Sequence, residues 1–291
     1  MWIIAAICSA FFAGLTSILA KIGIKHTDSN IATFIRTIVI LIFAWLMVFI
    51  VGSFREIKDI DVFSLLFLIL SGIATGLSWL CYFKALSIGE VKKIVPIDKS
   101  STVLTILMAM ILFQETDFLA VKLICTTLIF IGTLLMIEEH DFSCSDFKQE
   151  WFIYAFASAI FAALTAILSK IGINNVESNL GTAIRTIIVL VMAFIVVIYQ
   201  GKWQNIRLKE LICNNELYFI ILSGIATGAS WLCYYYAIQQ GLVSIVVSID
   251  KLSIIVSIIF AFIVFHEKIS AKNFIGLCLI VLGTVLMAIY R

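Results

Sequence analysis

Ser71–Tyr82 reads SGIATGLSWLCY, and Ser223–Tyr234 reads SGIATGASWLCY. Eleven of the twelve positions are identical; Leu77 against Ala229 is the one difference. Self-similarity of this quality means that one structural unit is used twice in the chain. Each stretch carries glycines four residues apart, Gly72 with Gly76 and Gly224 with Gly228. Small residues at that spacing let two helix backbones approach closely. They predict tight packing at the centre of the molecule, of the third and eighth helices counted below.

Outward from this segment the correspondence keeps its order. Lys21-Ile22-Gly23-Ile24 matches Lys170-Ile171-Gly172-Ile173, Asn30 matches Asn179, and Arg36-Thr37 matches Arg185-Thr186. Further on, Asp98-Lys99 matches Asp250-Lys251, Glu115 matches Glu267, and Gly132-Thr133 matches Gly283-Thr284. The offset runs from 149 to 152 to 151, so the length differences fall in loops or helix ends.

The chain is 63% hydrophobic and 13% charged, with a mean hydropathy of +1.14. A soluble domain of 291 residues needs more charge than this to cover its core. Lipid is the solvent in which such a composition is stable, so the lipid bilayer is one partner. A net charge of +2 excludes a polybasic binder, and no nucleic acid is expected. Pro96 is the single proline, as long unbroken helices require.

Apolar windows of membrane-spanning length predict ten helices: Ile3–Ala20, Ile31–Val51, Val62–Phe83, Ile94–Phe113, Phe118–Ile137, Trp151–Ser169, Leu180–Tyr199, Leu217–Ile238, Val243–Phe265 and Ala271–Tyr290. The fold class is therefore all-α integral membrane. The domain expectation is a first five-helix repeat over 1–140, a linker over 141–150 and a second repeat over 151–291. Five spans per half is an odd number, so the second half starts on the opposite side of the bilayer. Two inverted repeats around a central cavity result, the arrangement that lets secondary transporters exchange inward- and outward-open states.

These residues make the chain resemble the EamA family of the drug/metabolite transporter superfamily. A lysine ends the first span of each half (Lys21, Lys170), and an arginine lies early in the second (Arg36, Arg185). A small-residue-rich third span ends in Ala85-Leu86 or Ala237-Ile238, and the fourth span ends in Glu115 or Glu267. A glycine-bearing fifth span follows (Gly132, Gly283). The resemblance implies ten helices, a cavity lined by the first four of each half, and peripheral fifth and tenth helices. It also implies a multi-pass protein of the bacterial cytoplasmic membrane, transporting a small-molecule substrate whose identity the sequence does not give. The chain departs from the pattern in places. Pro96 is matched by Ser248, Gly276 by Cys125, and Lys84 by Tyr236.

Charged side chains in hydrocarbon cost about 2.5 kcal/mol or more, so each needs a partner or a task. Asp98-Lys99 and Asp250-Lys251 sit near the starts of the fourth and ninth spans. A buried aspartate there binds a cation or carries a coupling proton, or else forms a structural ion pair with Arg36 or Arg185. The arginines clamp an anionic group or pair between helices. One turn beyond the glycines stand Ser78, Trp79 and Tyr82, and Ser230, Trp231 and Tyr234. Trp79 and Tyr82 are three apart and share a helix face, so two such faces line the cavity or form an aromatic box for a flat or cationic solute. Lys21 and Lys170 read as interfacial anchors, and Glu115 and Glu267 as solvated helix ends or partners of Lys122 and Lys268.

No HExxH, GxSxG or register of His with Asp is present, which argues against an enzyme. The seven cysteines form no CxxC, and His26, His140 and His266 are scattered, so neither metal nor cofactor is expected. A monomer is compatible with the pattern, and the sequence sets no oligomeric state. The resemblance implies cytoplasmic termini. The loop lysines and arginines, ten on the side that would be external against five, favour the reverse. The function expected is a secondary transporter exporting a small solute, with protons as a candidate coupling ion. The competing class is a membrane sensor or scaffold with a dry centre.

Overall fold

A computed structural model describes residues 1–23, 28–88, 94, 97–136, 150–201, 216–265 and 271–290. The three histidines, Pro96, Glu267, Lys268, Cys144, Cys213 and nearly all of the 141–150 linker lie outside them.

The described residues are helical, with no strand among them. In chain order the helices are α1 (Trp2–Gly23), α2 (Ser29–Val51), α3 (Val62–Ile88), α4 (Ser101–Leu112), α5 (Leu119–Leu135) and α6 (Glu150–Gly172). Then follow α7 (Ser178–Tyr199), α8 (Glu216–Gln240), α9 (Val243–Asp250), α10 (Ser253–Phe265) and α11 (Ala271–Ile289). A 3-10 turn, Ser53–Asp59, joins α2 to α3.

The second helix of each half starts on an acid. Asp28 accepts the Asn30 N–H at 2.9 Å, and Glu177 accepts those of Asn179 and Leu180 at 3.0 and 2.9 Å. Such caps satisfy donors that the helix leaves open. Gly52, at φ +85°, ends α2 in the left-handed region that glycine enters without a Cβ clash.

Eight stretches among the described residues are long and apolar enough to cross a membrane, with α9 and α10 counting together over Val243–Phe260. The two expected spans that fall short are the fourth and the fifth, α4 at 12 residues and α5 at 17. The fourth and ninth are interrupted at the same motif. Ile97–Lys99 is helical, Ser100 turns, and α4 then begins; in the second half α9 stops at Asp250 and α10 starts at Ser253. At the second break, Lys251 N–H bonds to Ser248 O and Leu252 N–H to Ile249 O, at 3.1 and 2.9 Å. These i→i−3 bonds tighten the chain into a 3-10 turn at the charged pair.

The halves pack chiefly on each other. The strongest contacts join α3 to α6, α1 to α8, α5 to α11 and α2 to α7. The equivalent helices α5 and α11 run antiparallel: Gly132 on α5 meets Gly276 on α11, while Gly283 meets Cys125. The interior is studded with buried Ser and Thr, among them Ser9, Ser71, Ser158, Thr186 and Ser244, whereas Ile50, Ile111 and Phe262 lie exposed. An apolar exterior around a more polar interior is the order that lipid favours.

The glycines pack as closely as the sequence predicts, but against different partners. A Cβ at Gly72 would stand 2.6 Å from Ile188 Cβ, and one at Gly76 would stand 2.3 Å from Met192 Cβ, both on α7. Gly224 and Gly228 meet Val39 and Phe43 on α2. Thus α3 does not pack its glycines on α8. Each glycine face receives the arginine-bearing helix of the other half instead, because α3 and α8 are already engaged with α6 and α1.

Candidate solute pathway

Each predicted aspartate has a serine beside it that spacing alone did not single out. Ser9 on α1 donates to Asp250 Oδ1 at 3.1 Å, and the Ser230 hydroxyl donates to the Ser9 carbonyl at 3.1 Å. In the other half Ser158 on α6 donates to Asp98 Oδ1 at 3.0 Å, and Ser78 donates to the Ser158 carbonyl at 3.1 Å. Ser9 and Ser158 differ by 149, the offset of Lys21 and Lys170, so the repeat register contained the signal. A second polar step repeats the pattern: Thr16 and Thr227 hydroxyls lie 3.2 Å apart, and Thr75 and Thr165 hydroxyls 3.3 Å.

The arginines break this symmetry. Arg185 is buried at 1% exposure, and its Nε donates to Ser71 Oγ at 2.8 Å and its Nη2 to Thr75 Oγ1 at 2.6 Å. Its guanidinium carbon lies 5.2 Å from the Trp231 ring centre and 4.7 Å from that of Tyr235. Two rings and two hydroxyls replace much of the water that the cation gave up. Trp231 therefore faces the protein's own cation. Nη1 of Arg185 and Nε of Arg36 are buried without a hydrogen bond among the described residues. Arg36 lines a cavity of about 70 Å³ together with Ser223, the counterpart of Ser71. The structural pairing of aspartate with arginine weighed from sequence does not form at Arg185, whose hydrogen bonds go to hydroxyls.

The end of the bundle where α1 begins is held by polar ties. Lys170 Nζ donates to the carbonyls of Ile238, Gln239 and Gly241 at 2.5, 3.0 and 3.0 Å. These are carbonyls left open at the end of α8. Glu115 is 4% exposed, and its carboxylate accepts the N–H groups of Val243 and Ser244 at 2.7 and 3.1 Å, together with the Ser244 hydroxyl. Gln239 Nε2 donates to Ile173 O and Val176 O at 2.5 and 2.7 Å. The expectations of a surface anchor at Lys170 and a solvated Glu115 are thereby corrected. Buried Glu115 and half-buried Lys170 both tie the α8–α9 connection, which offers more unsatisfied backbone groups than the bilayer surface does. Lys122, fully buried, donates to the backbone carbonyl of Glu115 at 2.9 Å, not to its carboxylate.

A cavity lies toward the opposite end among the described residues. Its volume is about 470 Å³, and it is lined by Lys21, Lys99, Asp250 and Lys251, with Ser17, Ser253 and Ser257 and an isoleucine wall. Lys251 lies within electrostatic reach of Lys99, Asp250 and Asp98. Trp79 and Tyr82 are half-buried; Tyr82 packs beside Ala85, Ile94, Trp151 and Ala155. Tyr234 stacks edge-on against Tyr235 at 5.2 Å. The structure thus brings Asp250, Lys251 and Lys99 to one cavity; the Trp–Tyr pairs do not line it, while Tyr234 lies within electrostatic reach of Asp250 and Tyr82 of Asp98.

An all-helical bundle with an apolar exterior, a repeated internal design and a charge-lined cavity defines a multi-pass membrane protein of the transporter class. Residues 1–138 and 149–289 match the EamA-like transporter family, and the chain belongs to that family, within the drug/metabolite transporters. A relative from Sinorhizobium sp., described as "Uncharacterized transporter in cobO 3'region", is 38% identical over 143 residues, which are 49% of this chain and 99% of that protein. That relative therefore corresponds to about one repeat. A solved structure described as "Crystal structure of protein" superposes with a TM-score of 0.77 at 13% identity, over 98% of this chain and 96% of that one. At this identity the likeness concerns the fold.

Proposed function

We propose that this chain is a secondary active transporter that exports a small metabolite or organic solute across a bacterial cytoplasmic membrane by alternating access. Its halves, 1–140 and 151–291, are two inverted five-helix repeats, with the broken fourth helix and α5 completing the first. The antiparallel contact of α5 with α11 supports the inversion.

The observation that carries the proposal is that equivalent residues stand in two different states. Arg185 is docked on Ser71 and Thr75, while Arg36 stands in a cavity with Ser223. If the halves exchange conformations, the docked set passes to the other end and the cavity opens there. The two arginines then work as reciprocal latches, and the Asp–Ser pairs stay near the middle in both states. Asp98 and Asp250 are the groups proposed to carry protons.

Reconstitution into liposomes tests the proposal. Gradient-driven flux of at least one solute from a panel of amino acids, amines, nucleosides and organic acids is expected. Trp79→Ala and Asp98→Asn are expected to impair it. Absence of flux across the whole panel refutes transport. Efflux from preloaded right-side-out vesicles reads the direction.

A further inference from the structure

Three lysines and one aspartate line the 470 Å³ cavity. Lys99 comes from the broken fourth helix of one half and Lys251 from its counterpart in the other. Both line the same cavity, and Lys251 lies within electrostatic reach of Lys99 as well as of Asp250 and Asp98. Like charges that face one cavity repel, and the cost falls when one anion is shared between them. The acids nearby are partly committed: Asp250 accepts from Ser9 and Asp98 from Ser158.

From this geometry we infer that the cavity binds an organic anion, a carboxylate- or phosphate-bearing solute, between Lys99 and Lys251. Lys21 lines the same cavity, and Ile254 and Ile258 form an apolar wall for the rest of the molecule. The volume suits a small metabolite. Because the two lysines are repeat-mates, an exchange of conformations between the halves leaves the cradle in place, and the anion can be reached from either side. This deepens the transport proposal and rests on it for what the cavity is for. It also sets the substrate charge opposite to the organic cation that the aspartates and aromatics suggest by themselves.

The experiment has two readouts on purified full-length protein. Thermal stabilisation is measured with citrate, malate and glycerol 3-phosphate, and with putrescine, choline and tetraethylammonium. Flux of the same six solutes is measured in phosphatidylcholine liposomes. The anions are expected to stabilise and the cations not to. Lys251→Gln and Lys99→Gln are each expected to weaken the apparent anion affinity about tenfold, and Lys99→Arg to retain it. Stabilisation and flux by cations alone overturn the anion site and leave transport standing. Stabilisation by anions with no flux of any solute leaves the site standing and removes transport. No response in either readout removes both. Stabilisation by phosphatidylglycerol vesicles but by no soluble anion assigns the cavity to a lipid headgroup and overturns the proposal as well.

Discussion

The guanidinium of Arg185 donates to the hydroxyl of Ser71 at 2.8 Å, although the two residues lie in different halves of the chain. Their repeat-mates, Arg36 and Ser223, share a cavity, and Ser223 donates instead to its own helix at Ile220 O, at 2.7 Å. One motif thus occurs docked and undocked in the same molecule. The difference is a property of the conformation, since the local sequences are nearly alike.

Arg185→Lys keeps the charge but loses the fork that reaches Ser71 and Thr75 together and the flat face against Trp231 and Tyr235. A loss of about 1.5–3 kcal/mol is expected, the range for hydrogen bonds to charged groups. Arg36→Lys is expected to cost less, since its Nε has no partner to lose. Thermal denaturation in detergent compares the two. An equal or larger cost at Arg36 contradicts the docking asymmetry.

Glu115→Ala removes the acceptor for two backbone donors and one hydroxyl at the start of α9. Amide hydrogen exchange at Val243 and Ser244, followed by mass spectrometry, is expected to accelerate by at least tenfold. Glu115→Gln is expected to fall between the two, because one neutral oxygen still accepts. Unchanged exchange in the alanine variant shows that the cap is not formed in the membrane.

Gly72→Ala places a methyl 2.6 Å from Ile188 Cβ and is expected to cost about 1–3 kcal/mol through overpacking. Ile188→Ala in the same chain is expected to restore part of it, a coupling that a double-mutant cycle measures. Gly52→Ala meets open space, so its cost of about 1–2 kcal/mol comes from the left-handed backbone alone, and Ile188→Ala leaves it unchanged.

Asp250→Asn keeps an acceptor for Ser9 but cannot exchange a proton. If Asp250 carries the coupling ion, flux in this variant becomes independent of an imposed proton gradient, while Ser9→Ala changes the rate and keeps the dependence. Retained gradient dependence in Asp250→Asn removes Asp250 from the coupling scheme.

Asp61 precedes α3 outside the spans, and its carboxylate accepts the Ser64 N–H at 3.0 Å. Hydrogen bonds from Ser64, from its hydroxyl and then its backbone, hold this carboxyl below its ordinary value of 3.8. A depressed folded pKa contributes stability that is present above the ordinary value and lost as pH falls below it. The stability difference between wild type and Asp61→Asn is therefore expected at neutral pH and to narrow below 3.8. A difference that persists unchanged in acid contradicts the cap.

Much of the candidate site was visible in the sequence. Asp250, Lys251 and Lys99 were marked because charge in an apolar run is costly wherever it points, and they do line one cavity. Ser9, Ser158 and Thr165 were passed over, since hydroxyls in a membrane helix cost little and carry no signal until the repeat register is applied to them. For Glu115 and Lys170 the sequence points to the surface, because only packing brings the α8–α9 connection to them.

The sequence by itself determined that the chain lives in lipid, that it is helical and that it uses one design twice. Those facts follow from hydropathy, from the need to satisfy backbone groups internally, and from the SGIATG…SWLCY repeat at Ser71 and Ser223. The tertiary structure decided which helix receives each glycine face, which serine holds each aspartate, and which of two like arginines is docked. Near-identical segments have the same local preferences. Only the packing of one conformation can give Arg185 two hydroxyls and two rings and leave Arg36 beside a cavity.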